Sequence, residues 1–129
     1  MDFPKWMNAF STKYRLAFPD HPIPNQCTIN VYEDGGGIGP HMDTLQAFED
    51  GPIVSLSLGS DVLMDFRRDL DAYQVDLRAR SLLIMTGESR LQWQHGIRSR
   101  KTELLHGQPR IRKTRISLTF RRAQGACAK

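Results

Sequence analysis

A chain of 129 residues with 40% apolar and 25% charged side chains is long enough for one domain that buries roughly two-thirds of its unfolded surface. No run nears the ~18 apolar residues of a membrane span, and Met1 to Phe10 lacks the basic cluster and apolar stretch of a signal peptide, so neither a helical membrane protein nor an exported one is expected. The formal net charge is +4, but nine Arg and Lys between Arg98 and Arg122 face Glu103 alone, so the remainder is net acidic. In chain order, Trp6, Met7, Phe10, Tyr14, Leu16 and Ala17 behind Pro4 predict one amphipathic helix packed on the domain over Pro4 to Phe18. Pro19, His21, Pro22 and Pro24 end it in an extended linker. From Cys27 onward the chain reads as all-β. Strands are expected over 27–32, 53–58, 62–66, 73–77, 81–85, 91–97 and 114–121, separated by Gly, Pro and charged turns. Gly35, Gly36, Gly37 and Gly39 lack a following Gly-Lys-Ser/Thr and are read as a flexible turn delivering His41, not as a phosphate loop.

The fold class is therefore mainly β: a two-sheet jelly roll, or double-stranded β-helix, with one N-terminal helix. A single domain spans 1–129, with helix and linker over 1–24, the core over 25–122 and a tail over 123–129. Cys27 and Cys127 show no C-x-x-C spacing and are read as free thiols, which with the missing signal peptide implies a cytoplasmic location that extends to the nucleus.

The strand Arg115 to Arg121 carries the strongest functional signal. Alternation puts Ile116, Leu118 and Phe120 on an outer face and Arg115, Ser117, Thr119 and Arg121 on the inner one. Two inward arginines are costly unless something anionic lies inside. Six residues separate their backbones by ~20 Å, so they cannot clamp one carboxylate together. His41 and Asp43, two apart on extended chain, point the same way, and His95 is the expected third ligand, with His21 and His106 as competitors. Two imidazoles and one carboxylate are the ligand set of a non-haem iron(II) oxygenase, with positions left open for a 2-oxo acid and dioxygen. Asn30 and Tyr32 form a second same-face pair suited to a carboxylate. The basic segment Arg98 to Arg122 is open to two readings, a solvated face with a few site arginines or a surface that attracts phosphates.

Asn30-x-Tyr32, His41-x-Asp43, His95-Gly96-Ile97 and Arg115-x-Ser117-Leu118-Thr119-Phe120-Arg121 together resemble the AlkB family of iron(II)/2-oxoglutarate dioxygenases, over about Asn25 to Arg122. Within that family, His41 to Thr44, Ala47 to Asp50, Val54 to Ser60 and Leu83 to Arg90 look like the branch of the eighth animal homologue, which Ser117 also fits. The resemblance implies that Fe(II) is bound by His41, Asp43 and His95, and that O2 and 2-oxoglutarate are consumed. It implies that Arg115 and Tyr32 hold the distal carboxylate, that Asn30 helps at the metal end, that Ser117 belongs to the cosubstrate site, and that Arg121 sits by Asp43 between cosubstrate and substrate. The implied reaction is hydroxylation of the side chain of a modified tRNA wobble uridine. Oxidative demethylation of alkylated DNA or RNA bases is the alternative, and an inactive paralogue acting as a binding module is the alternative of another class. The chain carries no aromatic RNA-recognition motif and no stretch long enough for a methyltransferase. A nucleic-acid partner, tRNA foremost, and separate methyltransferase or RNA-binding chains are accordingly expected, with no membrane partner.

Overall fold

The structure, a computed structural model, describes residues 3–125. Its first sheet orders β1 (Gln26–Tyr32), β10 (Arg115–Arg121), β3 (Ile53–Gly59) and β6 (Ser81–Met85). Its second orders β2 (Ile38–His41), β7 (Gln94–Ile97), β4 (Val62–Arg68) and β5 (Asp71–Leu77). All pairings are antiparallel. Alternation along β3, β4, β6 and β7 sends Ile53, Val62, Met64, Phe66, Met85 and Ile97 into one core between the sheets. This is the expected jelly roll. Strands β5 and β6 close one side of the sandwich, and the site lies toward β1 and β2 at the other.

A second core lies on the outer face of the first sheet. A 3₁₀ turn, Lys5–Met7, leads into α1 (Asn8–Ala17), which lays Met7, Phe10 and Tyr14 over Val54, Leu118 and Phe120. The Phe10 ring stacks on Phe120 at 4.1 Å. The outer face of β10 is thus covered, with Leu118 at 7% and Phe120 at 2% exposure. Three residues expected on the helix's apolar stripe are not buried there: Trp6 and Leu16 are 67% and 79% exposed, and Ala17 at the helix end is exposed as well. The tighter 3₁₀ turn rotates Trp6 off the line of Met7 and Phe10, and Leu16, two residues past Tyr14, points the other way.

Other expected boundaries shift. The single strand read over 91–97 is divided between α2 (Gly87–Leu91) and β7, which begins at Gln94. Thr86 and Ser89 form the reciprocal cap that starts α2. Strand β2 and the hairpin β8 (Thr102–Leu105) with β9 (Gln108–Ile111) add to the expected set. The hairpin is pinned by Glu103, whose carboxylate is 2% exposed and accepts from the Leu63 N–H at 2.9 Å and from Arg110 at 2.7 Å. The glycine turn is packed rather than loose: Gly35 is buried, and its carbonyl accepts from the Arg100 N–H at 2.9 Å. No described helix is long and apolar enough to cross a membrane. Cys27 is a half-buried free thiol; Cys127 and the end of the expected tail, 126–129, lie outside the described residues.

Candidate metal and cosubstrate site

The register of β2 on β7 sets His41 directly opposite His95, so both imidazoles leave the same face, with ring centroids 4.4 Å apart. Asp43 follows just past the end of β2. Donor atoms of His41, Asp43 and His95 lie within 4.8 Å of one another, the one such cluster of metal-binding side chains among the described residues. His41 Nδ1–H donates to the Gly39 carbonyl at 2.9 Å, which leaves Nε2 free to ligate, 3.7 Å from Asp43 Oδ1. Burial first, then His41 and Arg121 beside it, push the pKa of His95 down to about 4 against the opposing pull of Asp43. His95 is therefore neutral near pH 7, the form that binds a metal. His21 and His106 are exposed and lie away from this cluster.

One end of the cavity is set by Arg121. Its Nη1 donates to Asp43 Oδ2 at 3.2 Å and its Nη2 to Thr28 Oγ1 at 2.8 Å, while the Phe48 ring lies 4.3 Å from the guanidinium carbon. Asp43 thus has one oxygen oriented from behind and the other turned toward His41.

The far end belongs to Arg115. Strand register lines up Tyr32 with Arg115, and Asn30 with Ser117 and Ser57, giving a polar row across β1, β10 and β3. Arg115 is 3% exposed; its Nη2 donates to Ser57 Oγ at 2.8 Å and its guanidinium lies 5.5 Å from the Tyr32 ring centroid. Its Nε has no partner, and no carboxylate among the described residues pairs with it. Burial pushes its pKa down, with Tyr32 opposing and Arg112 adding to the shift. A buried cation without a counter-ion is expensive, and a dicarboxylate reaching from the imidazole cluster would supply the missing charge. A ligand set of two neutral imidazoles and a carboxylate suits Fe(II). The residues present therefore fit both metal and cosubstrate.

All eight residues expected at the site, Asn30, Tyr32, His41, Asp43, His95, Arg115, Ser117 and Arg121, line one cavity. The basic segment divides. Arg110 pairs with Asp76 at 2.8 Å and Glu103 at 2.7 Å, Arg98 with Asp65 at 2.9 Å, and Arg122 with Glu49 at 3.1 Å. Arg112, 4% exposed, donates to the Arg98 and Gly36 carbonyls. With Arg115 and Arg121 facing the cavity, Arg100, Lys101 and Lys113 remain without an ion pair among the described residues. The ion pairs thus engage most of the segment, and these three alone are left to serve an outside phosphate. Thr28, Ser57, Phe48 and Arg90 had no site role assigned from sequence. Thr28 shares the alternation of Asn30 and Tyr32 and was within reach of it; the other three are brought in by register and loop packing.

A family model described as the 2OG-Fe(II) oxygenase superfamily matches residues 1–121. The tRNA (carboxymethyluridine(34)-5-O)-methyltransferase ALKBH8 of Macaca fascicularis is 52% identical over 98 residues, 75% of this chain and 13% of its own length. The alpha-ketoglutarate-dependent dioxygenase AlkB of Salmonella typhimurium is 34% identical over 103 residues, 78% of this chain and 46% of its own. A solved structure, "The structure of OsALKBH1", superposes with a TM-score of 0.59 at 27% identity, over 91% of this chain and 60% of that one. The chain thus spans a small part of the first of these relatives and about half of the second. It belongs to the 2OG-Fe(II) oxygenase superfamily, whose cofactors are Fe(II), 2-oxoglutarate and O2, and it is similar to AlkB dioxygenases within it.

Proposed function

Given that membership, we propose that this enzyme hydroxylates a modified nucleoside in RNA, at the side chain of a tRNA wobble uridine. His41, Asp43 and His95 hold Fe(II). Arg115 and Tyr32 receive the distal carboxylate of 2-oxoglutarate, Asn30 helps at its metal-binding end, and Ser117 belongs to the cosubstrate site. The observation that carries this assignment is Arg115, a buried guanidinium with no protein counter-ion in the cavity that also holds the imidazole cluster. When bound, Fe(II) with O2 supplies the oxidative decarboxylation of 2-oxoglutarate to succinate and CO2, coupled to insertion of one oxygen atom into a C–H bond.

The protein's own share is placement. A hydrogen bond from His41 to the Gly39 carbonyl and one from Arg121 to Asp43 fix two ligands before metal arrives. Met85, Ile97 and Leu83 form an apolar wall of the cavity. The substrate assignment draws on the macaque relative, whose name gives methyl transfer at carboxymethyluridine 34 of tRNA. The oxidative step on that side chain is our reading for the shared segment, and recruitment of tRNA falls to Arg100, Lys101, Lys113 or a partner chain.

The test is mass spectrometry of nucleosides from methoxycarbonylmethyl-containing tRNA incubated with the protein, Fe(II), ascorbate and 2-oxoglutarate in air. One added oxygen on the wobble uridine, absent with His41→Ala, is expected. Formaldehyde release without that product would replace hydroxylation by N-demethylation.

A further inference from the structure

Arg90 is 2% exposed and touches neither the cavity nor the cluster of imidazoles. It lies in the last turn of α2 and reaches across to the strap that joins β2 to β3. Its Nη1 donates to the Gly51 carbonyl at 2.5 Å and its Nη2 to the Phe48 carbonyl at 3.4 Å. The nearest carboxylate, Asp50, is 3.8 Å away on a side chain 74% exposed, so it offsets little of the burial. Burial accordingly pushes the pKa of Arg90 down, although Asp50 and Asp43 oppose the shift. Burying a guanidinium to hold two loop carbonyls is costly for a connection that a short turn could make.

What the strap carries gives the reason. Phe48, one of the residues held, lays its ring on the guanidinium of Arg121, and Arg121 in turn holds Asp43 and Thr28. The strap is fixed from its other side by the end of β10: the Glu49 N–H donates to the Arg122 carbonyl at 2.8 Å, and the Gln124 N–H to the Ala47 carbonyl at 2.9 Å. Helix α2 also leads directly into β7, which bears His95. Arg90 therefore joins the segment entering one imidazole's strand to the loop that backs the carboxylate.

We propose that Arg90 is a positioning residue for the metal centre. It holds the strap so that Phe48 keeps Arg121 in the orientation that fixes Asp43. The proposal rests on the ligand assignment made above.

The test measures Co(II) binding by titration of the metal-free protein, with thermal unfolding in parallel, for wild type, Arg90→Met, Phe48→Leu and the double variant. Loss of an outer partner of a ligand weakens metal binding 10–100-fold, and the two-step relay here points to the low end, about 10-fold, for each single variant. Because both act through one relay, the double variant should bind no more weakly than the weaker single one. Glu103→Gln is the control: an equally buried charged side chain that pins the hairpin of β8 and β9 rather than the strap. It should lose stability and keep its Co(II) affinity. Wild-type affinity in Arg90→Met, or an equal loss in Glu103→Gln, would overturn the proposal. Should Arg90→Met not fold, Phe48→Leu alone decides, with unchanged affinity counting against the relay. Failure of wild type to bind Co(II) at all would instead remove the ligand assignment and this proposal with it.

Discussion

Replacing Arg115 by Met separates binding from folding in a way few buried arginines allow. Arg115 holds a neutral partner, Ser57, and no carboxylate, and its Nε points to no protein acceptor. The Met variant keeps most of the side-chain volume and leaves no orphaned counter-charge behind, so stability without cosubstrate should stay within about 1 kcal/mol of wild type. Cosubstrate binding should behave differently. A hydrogen bond to a charged group contributes roughly 1.5–3 kcal/mol. Losing a two-pronged contact, with part of its energy recovered by water, costs about 3 kcal/mol, on the order of 100-fold in Kd. The assay is calorimetric titration of 2-oxoglutarate into Mn(II)-loaded protein, paired with urea unfolding of both variants without cosubstrate. The same cosubstrate should raise the unfolding midpoint of wild type and leave that of Arg115→Met nearly unmoved. Unchanged 2-oxoglutarate affinity together with a stability loss above ~3 kcal/mol would refute the reasoning, because it would make Arg115 a structural cation.

Three further outcomes follow from particular contacts. A Cβ at Gly37 would run into the Ile97 carbonyl and the backbone at Arg98 and Ser99, whereas one at Gly39 meets nothing. Gly37→Ala should therefore disturb β2–β7 pairing and abolish Co(II) binding, with Gly39→Ala near wild type; equal behaviour would contradict the close approach. In metal-free protein His95 stays neutral to about pH 4, whereas the unfolded chain protonates it near 6.5. The unfolded state binds more protons in that window, so stability falls as pH drops through it, by about 2 kcal/mol from pH 7 to pH 5. His95→Gln should lose that component of the slope in urea unfolding, and an unaltered slope would mean that His95 is not held neutral. Glu103→Gln removes the charge between Arg110 and Arg112, which should cost roughly 3 kcal/mol. It should speed hydrogen exchange in β8 and β9 while leaving Co(II) affinity intact; a lost metal site would tie the hairpin to the triad instead.

What was legible in the sequence depended on whether alternation and burial agree. In β10 they do: Arg115, Ser117 and Phe120 are all buried, on two faces of different character, so residue order alone separates a polar inner row from an apolar outer one. The pair His41 and Asp43 could be read for the same reason. The hairpin could not, because its pattern is inverted. Glu103 and Arg110 point in, while Leu104 and Ile111 are 63% and 69% exposed, so a rule that sends apolar residues inward finds no strand. Strand β2, Ile-Gly-Pro-His, has no alternation to detect and exists because Gly37, just before it, and Gly96 on β7 permit close approach of the two strands. Helix α2 is five residues long, too short for a 3.6 period, and its cap uses Ser89 where Glu or Gln is the stronger signal. Charge along the chain misled in a related way: a net basic run does not reveal that Arg110 and Arg112 are turned onto Glu103. Arg90 and Phe48 lie in segments that carry the family resemblance, but their role was not legible, because the strap that joins them to Arg121 is fixed by carbonyl contacts, which leave no residue pattern.

One centre is formed by His41, Asp43 and His95, with Arg115 at the far end of the same cavity. Its most direct test is an anaerobic titration with Fe(II) followed by 2-oxoglutarate, recording the visible metal-to-ligand charge-transfer absorption that a chelated 2-oxo acid produces. Wild type should develop the band with one Fe(II) and one 2-oxoglutarate per chain, Asp43→Ala should not, and Arg115→Met should need on the order of 100-fold more 2-oxoglutarate to reach it. A band of equal strength and affinity in Asp43→Ala would contradict the account, because the metal would then be held elsewhere.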